Sequence, residues 1–503
     1  MLLASGRPAP GATPAGPCAP MSFFPAPRRT AVFRGVHLTA LLLAAAAGGC
    51  VVHESRRAPE PGVTIPAYSV GSGAPAAAPA TAAWWRTLES PLLDRQMELA
   101  LRNSHSVEAA RARLAQADAY YRRASAVRWP EIGAKAHRQH DLAADVRRED
   151  YSEFGPVLAW EVDLFGRLEN ARRTRAMERA SRLGQLDGAR LVLSANVAEA
   201  YLGVIEQKEL LRLLQSQIAA SQEMLSIIEG RFRQGLISRV DLLQQQGQLA
   251  DILSQVPDAE SNLQVQQKIL DTLVHGRSGD VPAVRVDESL PAAGPLPAIG
   301  DPNALLLARP DLRSARADVS AADADIGRAI AERLPRLTFA ADALEVAGRG
   351  RSGLLSTLDG SVLLPLLDWG NRRAEVRRAR AVHEERLAVF AQAYVDAVLE
   401  VENGVTREVK QRELIARLEE RRQLLQAALD QSKERYTAGM TDYLPVLTSL
   451  QQLNALEQRL IRERRKLLSF RVTLHRALGG PMPDFPDPVA SASRVRPDSR
   501  ATP

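Results

Sequence analysis

The chain has 503 residues, 25% of them charged and only 5% aromatic, with much Ala, Leu, Gln, Glu and Arg, which is the composition of long helices. Its net charge of +6 comes from Lys and Arg interleaved with Asp and Glu, so solvated helix faces explain it and a nucleic-acid groove is set aside. The two cysteines, Cys18 and Cys50, both precede the helical body, which excludes a disulfide framework or a cysteine metal site there.

Arg28, Arg29 and Arg34 precede an apolar run over 41–47, too short to span a membrane, and Gly48-Gly49-Cys50 follows. This is the plan of a secretory signal over 1–49, with Met21 as the expected true start. Small residues directly before Cys50 resemble a bacterial lipobox, with Ala47 in place of the usual Leu. The expectation is acylation of Cys50; the alternative is an ordinary signal with an incidental cysteine. Val51, where Asp would signal inner-membrane retention, favours the outer membrane. Residues 50–83 then read as a lipidated N-terminus and a Pro/Ala-rich flexible tether.

Residues 84–275 form a first repeat. Helical patterns cover 92–102 and 107–127, the second ending before Pro130. Ile132, Ala134 and Ala136 alternate with Lys135 and His137 as in a strand, and a second strand is expected over 155–165, closed by Gly166. From Arg167 to Arg231 a helical pattern runs without proline. Its apolar seam includes Val197, Tyr201, Val204, Leu211, Leu214, Ile218, Leu225, Ile228 and Phe232, at coiled-coil spacing. The partner helix returns to about Val274, with a kink or break expected at Pro257. Residues 276–302, with five prolines, link the halves.

The second repeat, 303–480, replays the order: a helix opened by Ala308-Arg309-Pro310-Asp311 to about Leu334, a strand from Leu337, a loop over 348–353, a strand over 360–369 closed by Gly370, and a helix over 371–436. Its seam, Val401, Val405, Ile415, Leu418, Leu429 and Tyr436, falls 204 residues after the first, as 439 − 235 separates Gly439 from Gly235. Residues 481–503 read as a disordered tail. In both halves the long helix ends in Arg-aromatic-x-x-Gly, Arg231 to Gly235 and Arg435 to Gly439. The glycines suit a left-handed helix stop. Ser238 and Thr441 suit the next N-cap, Ser238 with Asp241 resembles a capping box, and Asp442 is an alternative cap that leaves Pro445 harmless in the first turn.

Helices of about 100 Å far exceed a bilayer core of about 30 Å, so they stand in water. Two strands per half make four, too few for a membrane barrel, and lipid tolerates no open sheet edge. Spanning strands would therefore have to be pooled between chains. The fold class expected is mainly α with a small β part.

At this point the residues carry a resemblance. Trp84-Trp85-Arg86, residues 160–168, Arg309-Pro310-Asp311-Leu312, residues 364–370 and the two Arg-aromatic-x-x-Gly tips resemble the TolC-like outer-membrane factor family, in its NodT-type lipoprotein branch serving resistance–nodulation–division (RND) efflux. The resemblance implies a homotrimer with a helical α-barrel in the periplasm and a shared twelve-stranded barrel in the outer membrane. The hairpin tips would dock a periplasmic adaptor joined to an inner-membrane RND pump, and no cofactor is implied. It places Gly235, Leu236, Ser238, Gly439, Met440 and Thr441 at the adaptor-facing end, and Tyr436, Leu444, Thr448 and Gln451 at the periplasmic aperture. Family members commonly carry a carboxylate there, with Arg three residues on; here Thr448, Gln451 and Pro445 occupy those positions, which puts an ion-pair lock in doubt and shifts weight to Leu444. The alternative for Leu444 is plain packing between helices.

Enzymatic signatures do not appear: no Gly-rich loop followed by Lys-Ser/Thr, no His-Glu-x-x-His, and no Glu-x-x-His at His275, His383 or His475. His137 and His140 flank a strand end where metal binding is the alternative, and they read as solvated, as loop histidines more often are. The function expected is a passive exit duct for small molecules. An ATP-driven polypeptide-secretion duct and a non-conducting lipid-anchored scaffold are the alternatives.

Overall fold

The computed structural model describes residues 53, 59–70, 83–139, 151–275, 289–348, 351–481 and 483. The signal region, Cys50, His140 and most of the C-terminal tail lie outside the described residues. The elements are α1 (Pro91–Asn103), α2 (His105–Ala126), β1 (Glu131–Gln139), β2 (Tyr151–Val162), α3 (Arg167–Arg233), α4 (Arg239–His275), α5 (Leu305–Ala308), α6 (Pro310–Ala331), β3 (Arg336–Gly348), β4 (Arg351–Leu363), α7 (Asn371–Thr437) and α8 (Leu444–Leu478).

The long helices α3 and α7 have 67 residues each, about 100 Å. Both start behind a glycine with positive φ, Gly166 at 74° and Gly370 at 86°, a turn that other residues enter only with strain. A nearby aspartate serves the free amides of each start: Asp163 accepts from Glu169 N at 2.7 Å, and Asp368 from Gly370 N and Arg372 N, both at 3.1 Å. Helix α3 pairs with α4, α7 pairs with α8, and α3 also packs on α2, α6 and α8. The seam is buried at Val197, Tyr201, Val204, Leu214 and Ile228 in the first half and at Val401, Ile415, Leu418, Leu429 and Tyr436 in the second. Phe232 departs from the expected seam and is 38% exposed.

Helix α4 runs through Pro257 without a break. The proline lies on the exposed face, so the carbonyl that loses its amide partner faces water. Among the described residues no helix is long and apolar enough to cross a membrane.

The motifs that carried the resemblance clamp the upper part of the fold. Trp84 donates to Ser194 Oγ at 3.1 Å and stacks on His475, whose imidazole is pushed down to about 4 by burial and by Arg471 and so stays neutral. Arg309 donates to Asp311, to Glu400 of α7 and to the Ala477 carbonyl at the end of α8. Lower down, Glu408 is fully buried; Arg471 donates to it at 3.0 Å, as does Arg412. The same two arginines hold the link between the repeats through the Ala293 and Gly294 carbonyls, so the buried charge is paired on every side.

The strands form one antiparallel sheet in the order β1-β2-β3-β4. Strands β2 and β4 start earlier than expected, and β4 ends at Leu363 rather than Trp369, because Pro365 has no N–H for a ladder and biases Leu364 as well. Strand β2 carries Pro156, and its pairing with β3 skips residues 155 and 156. A Cβ at Gly155 would stand 2.0 Å from the Ala343 carbonyl oxygen, so only glycine fits that crossing. The register puts Ile132, Phe154, Leu158, Trp160, Phe339, Leu354, Leu358 and Val362 on one face. Lys135, Glu153, Thr338, Asp342, Thr357 and Ser361 share the other. Lys135 meets Glu153 at 2.7 Å and Thr338 meets Ser361 at 2.6 Å on the polar face, whereas Ile132, Leu354 and Leu358 are about three-quarters exposed.

Candidate functional site at the hairpin tips

Both long helices stop in the same way. Gly235 N donates to Phe232 O at 2.9 Å and Leu236 N to Arg231 O at 3.0 Å; Gly439 N donates to Tyr436 O at 3.0 Å and Met440 N to Arg435 O at 2.8 Å. This is a Schellman stop, with Gly235 and Gly439 each at a φ of 72°.

The restarts differ. At the first tip Ser238 Oγ accepts from Asp241 N at 3.3 Å and Asp241 Oδ2 accepts from Ser238 N at 3.1 Å, a capping box closed by Asp. At the second tip neither Thr441 nor Asp442 is the cap. Helix α8 starts at Leu444 behind Tyr443, with no side-chain cap. Pro445 sits in the first turn, where its missing N–H costs nothing. Tyr443 is instead turned inward, 1% exposed, and donates to Gln245 Oε1. Gln245, itself fully buried, donates back to Ser221 O at 2.8 Å and Ser221 Oγ at 2.9 Å, so one amide joins α3, α4 and the start of α8. Burial pushes the Tyr443 hydroxyl up, keeping it a donor.

Tyr436 packs on Tyr443 with ring centroids 5.5 Å apart, and the Arg231 guanidinium lies 4.5 Å from the Tyr436 ring centroid. Arg231 also donates to Tyr436 O at 3.0 Å and Thr437 O at 2.8 Å, the last carbonyls of α7. An arginine of the first hairpin thus caps the helix of the second.

The four aperture candidates do not form one cluster. Tyr436 is buried at the tip, Leu444 is 57% exposed, and Thr448 Oγ donates within its own helix to Leu444 O at 2.9 Å. Leu444 is therefore not packed away between helices of its own chain. Gln451 donates to Gln248 Oε1 of α4 at 2.8 Å. One heptad on, Gln458 repeats the contact to Gln255 at 2.9 Å and adds Gln217 at 3.3 Å. Of the three positions where the resemblance implies charges, Gln451 is part of a neutral amide ladder, Thr448 bonds within its own helix and Pro445 sits in its first turn. Sequence reading named Arg231 and Gln451 but missed the reach of Arg231 across the hairpins, the Tyr443–Gln245 contact and this ladder. The sevenfold spacing of Gln248 with Gln255, matched by Gln451 with Gln458, was the available signal.

Among the described residues no group of three or more His, Cys, Asp or Glu is placed to hold a metal, and His137 is exposed on β1. Of the adaptor-facing candidates, Gly235, Leu236, Ser238, Gly439 and Met440 are exposed at the two turns, and Thr441 is half-buried beside them.

The outer membrane efflux protein family matches residues 97–275 and 302–480. The pyoverdine export outer membrane protein OpmQ of Pseudomonas putida is 30% identical, over 79% of this chain and 87% of its own length. Nodulation protein T of Rhizobium leguminosarum bv. trifolii is 23% identical, over 88% of this chain and 96% of its own. Among solved structures, the outer-membrane channel OprN superposes with a TM-score of 0.79 at 25% identity, covering 86% of this chain and 99% of OprN.

Proposed function

The chain belongs to the outer membrane efflux protein family and is an outer-membrane efflux channel, and on that premise we propose that three copies assemble into a passive exit duct for small organic molecules. The observation that carries this is the sheet. It has an apolar face that its own chain leaves uncovered and two edge strands, β1 and β4, unpaired among the described residues. An edge in lipid leaves unpaired amides, at several kcal/mol each, so the strands must close between chains. Three chains supply twelve strands, with the apolar face to lipid and the Lys135–Asp342 face to the pore. Exposed Trp129 and Trp369 mark an interfacial girdle at the end of the strands nearest the helices.

The helices then extend into the periplasm, and the tips around Gly235 and Gly439 dock a periplasmic adaptor that links the duct to an inner-membrane RND pump. Energy comes from that pump, and the duct itself does no chemistry. Cys50 carries a lipid after removal of residues 1–49. The segment to residue 83 leads to the first repeat but is no free tether throughout, since Tyr68 is buried against Phe390 and Tyr394 of α7. Residues 276–302 separate the repeats. Export of pyoverdine by OpmQ, as its name states, favours small organic cargo over polypeptides.

The test is purification of the mature chain from outer membranes, with native mass, planar-bilayer recording and crosslinking in cells. Expected are a trimer, ion conductance, and an adaptor with a proton-driven pump. An ATP-driven transporter in the crosslinked fraction would move the duct to polypeptide secretion, and a non-conducting rod would make it a scaffold.

A further inference from the structure

Within one chain the two hairpins meet through Arg231 on one side and Tyr436 with Thr437 on the other. Each partner has a twin 204 residues away: Arg435 for Arg231, Phe232 for Tyr436, Arg233 for Thr437. The twins make no such contact within the chain. Arg435 is exposed and its side chain has no polar partner among the described residues. Phe232 is 38% exposed where Tyr436 is 3%, and on the same hairpin Leu243 is 55% exposed where its twin Leu447 is 6%. The second hairpin has this face covered by the first; the first hairpin has the equivalent face open.

We propose that the open face is covered by the second hairpin of another copy of this chain, with Arg435 of one protomer seated on the partner subunit's Phe232. There it donates to the last carbonyls of that subunit's α3, at Phe232 and Arg233. The template is the contact already made in the chain. It joins identical backbone stops, the same guanidinium reach, an aromatic ring at the same position and the negative end of a helix. The ring, rather than a hydroxyl, is what the arginine needs. The Tyr436 hydroxyl is buried without a hydrogen-bond partner, so Phe232 lacks nothing the contact uses. One contact, used alternately within and between chains, then closes a ring of six tips. Arg435 then supplies a charged latch between protomers. This rests on the trimer proposed above.

The test is the full-length protein in membranes with Phe232→Cys and Arg435→Cys combined, treated with a short bis-maleimide, with each single variant as control. The pair Arg231→Cys with Tyr436→Cys reports the contact within the chain. Native mass of the untreated variants tells first whether the trimer exists. Expected is a trimer in which the first pair gives covalent dimers and trimers and the second only internally crosslinked monomer. A trimer whose Phe232/Arg435 pair stays monomeric, while the in-chain pair reacts, overturns the inference and leaves the trimer standing. Absence of any trimer overturns the assembly reading, and the inference with it.

Discussion

The two hairpin tips end their first helix identically and begin their second by different means. The first tip, at Gly235, is built from local chemistry: Ser238 and Asp241 satisfy each other's amides, and Phe232, Leu236 and Val240 remain exposed. The second, at Gly439, has no side-chain cap on its returning helix and is held by tertiary packing, with Tyr436 and Tyr443 buried and Arg231 reaching across from the first hairpin. A duplicated element has kept its turn and exchanged its anchor. One tip holds itself; the other is held by its neighbour.

The sharpest way to break this comparison is at Tyr443 and its twin Arg239. Tyr443→Ala empties a buried ring site and strands the fully buried Gln245, and is expected to cost about 3–5 kcal/mol in urea unfolding. Arg239→Ala, on an exposed helix start, stays within about 0.5 kcal/mol. Equal losses would mean that the tips are held alike. Arg231→Ala follows, at about 1–2 kcal/mol for a half-exposed cation that gives up a ring and two carbonyls. Arg231→Lys recovers only part, since an ammonium lacks the two-pronged reach.

Smaller again is Ser238→Ala, about 1 kcal/mol, seen as faster hydrogen exchange in the first turn of α4. Thr441→Ala changes exchange in α8 little, and a matching loss there would restore Thr441 as a cap. At the channel level, Leu444→Ala is expected to leak more than Thr448→Ala, because Leu444 projects from the returning helix whereas the Thr448 hydroxyl is turned back onto its own backbone. Single-channel recordings in the reverse order would sink this. Least of all should pH act. Between about pH 5 and 8 no member of the ladder Gln248–Gln451 and Gln255–Gln458 titrates, and burial moves the Tyr443 hydroxyl upward, further from that window. Closed-channel conductance is therefore expected to stay flat, and a step in it would point to a carboxylate at the aperture.

The long helices, the glycine stops and the Ser238 cap were legible because each is set by neighbours in sequence: a 3.6-residue pattern, a residue that tolerates positive φ, a hydroxyl three positions before an acid. The limits of β4 were misplaced because Leu364, Leu366 and Leu367 continue an apolar run that Pro365 takes out of the ladder. Thr441 looked like a cap because its identity is right, but Tyr443, buried two residues on, sets where the helix begins. The glutamine ladder was not foreseen, beyond Gln451 as an aperture candidate, since a Gln on a helix is ordinarily wet and only the partner helix reveals otherwise. Residues whose roles depend on a distant element, Arg231 and Gln245 foremost, left only their spacing as a trace.

The buried Glu408–Arg471 pair, with Arg412 and the carbonyls at residues 293 and 294, has a mechanical consequence. It straps the chain link across the second hairpin and makes that level a fulcrum. At the twin positions of the Glu408–Arg471 pair, Val204 and Gln267 carry no charge, and the first hairpin instead holds the link through Glu209, which accepts from Leu290 N at 2.8 Å. Below the fulcrum α7 extends from Arg412 to Thr437 as a lever of about 40 Å, and a tilt of about 10° swings its end by about 7 Å. A small rotation at the strap is thus multiplied into a several-ångström displacement at the tip of the second hairpin.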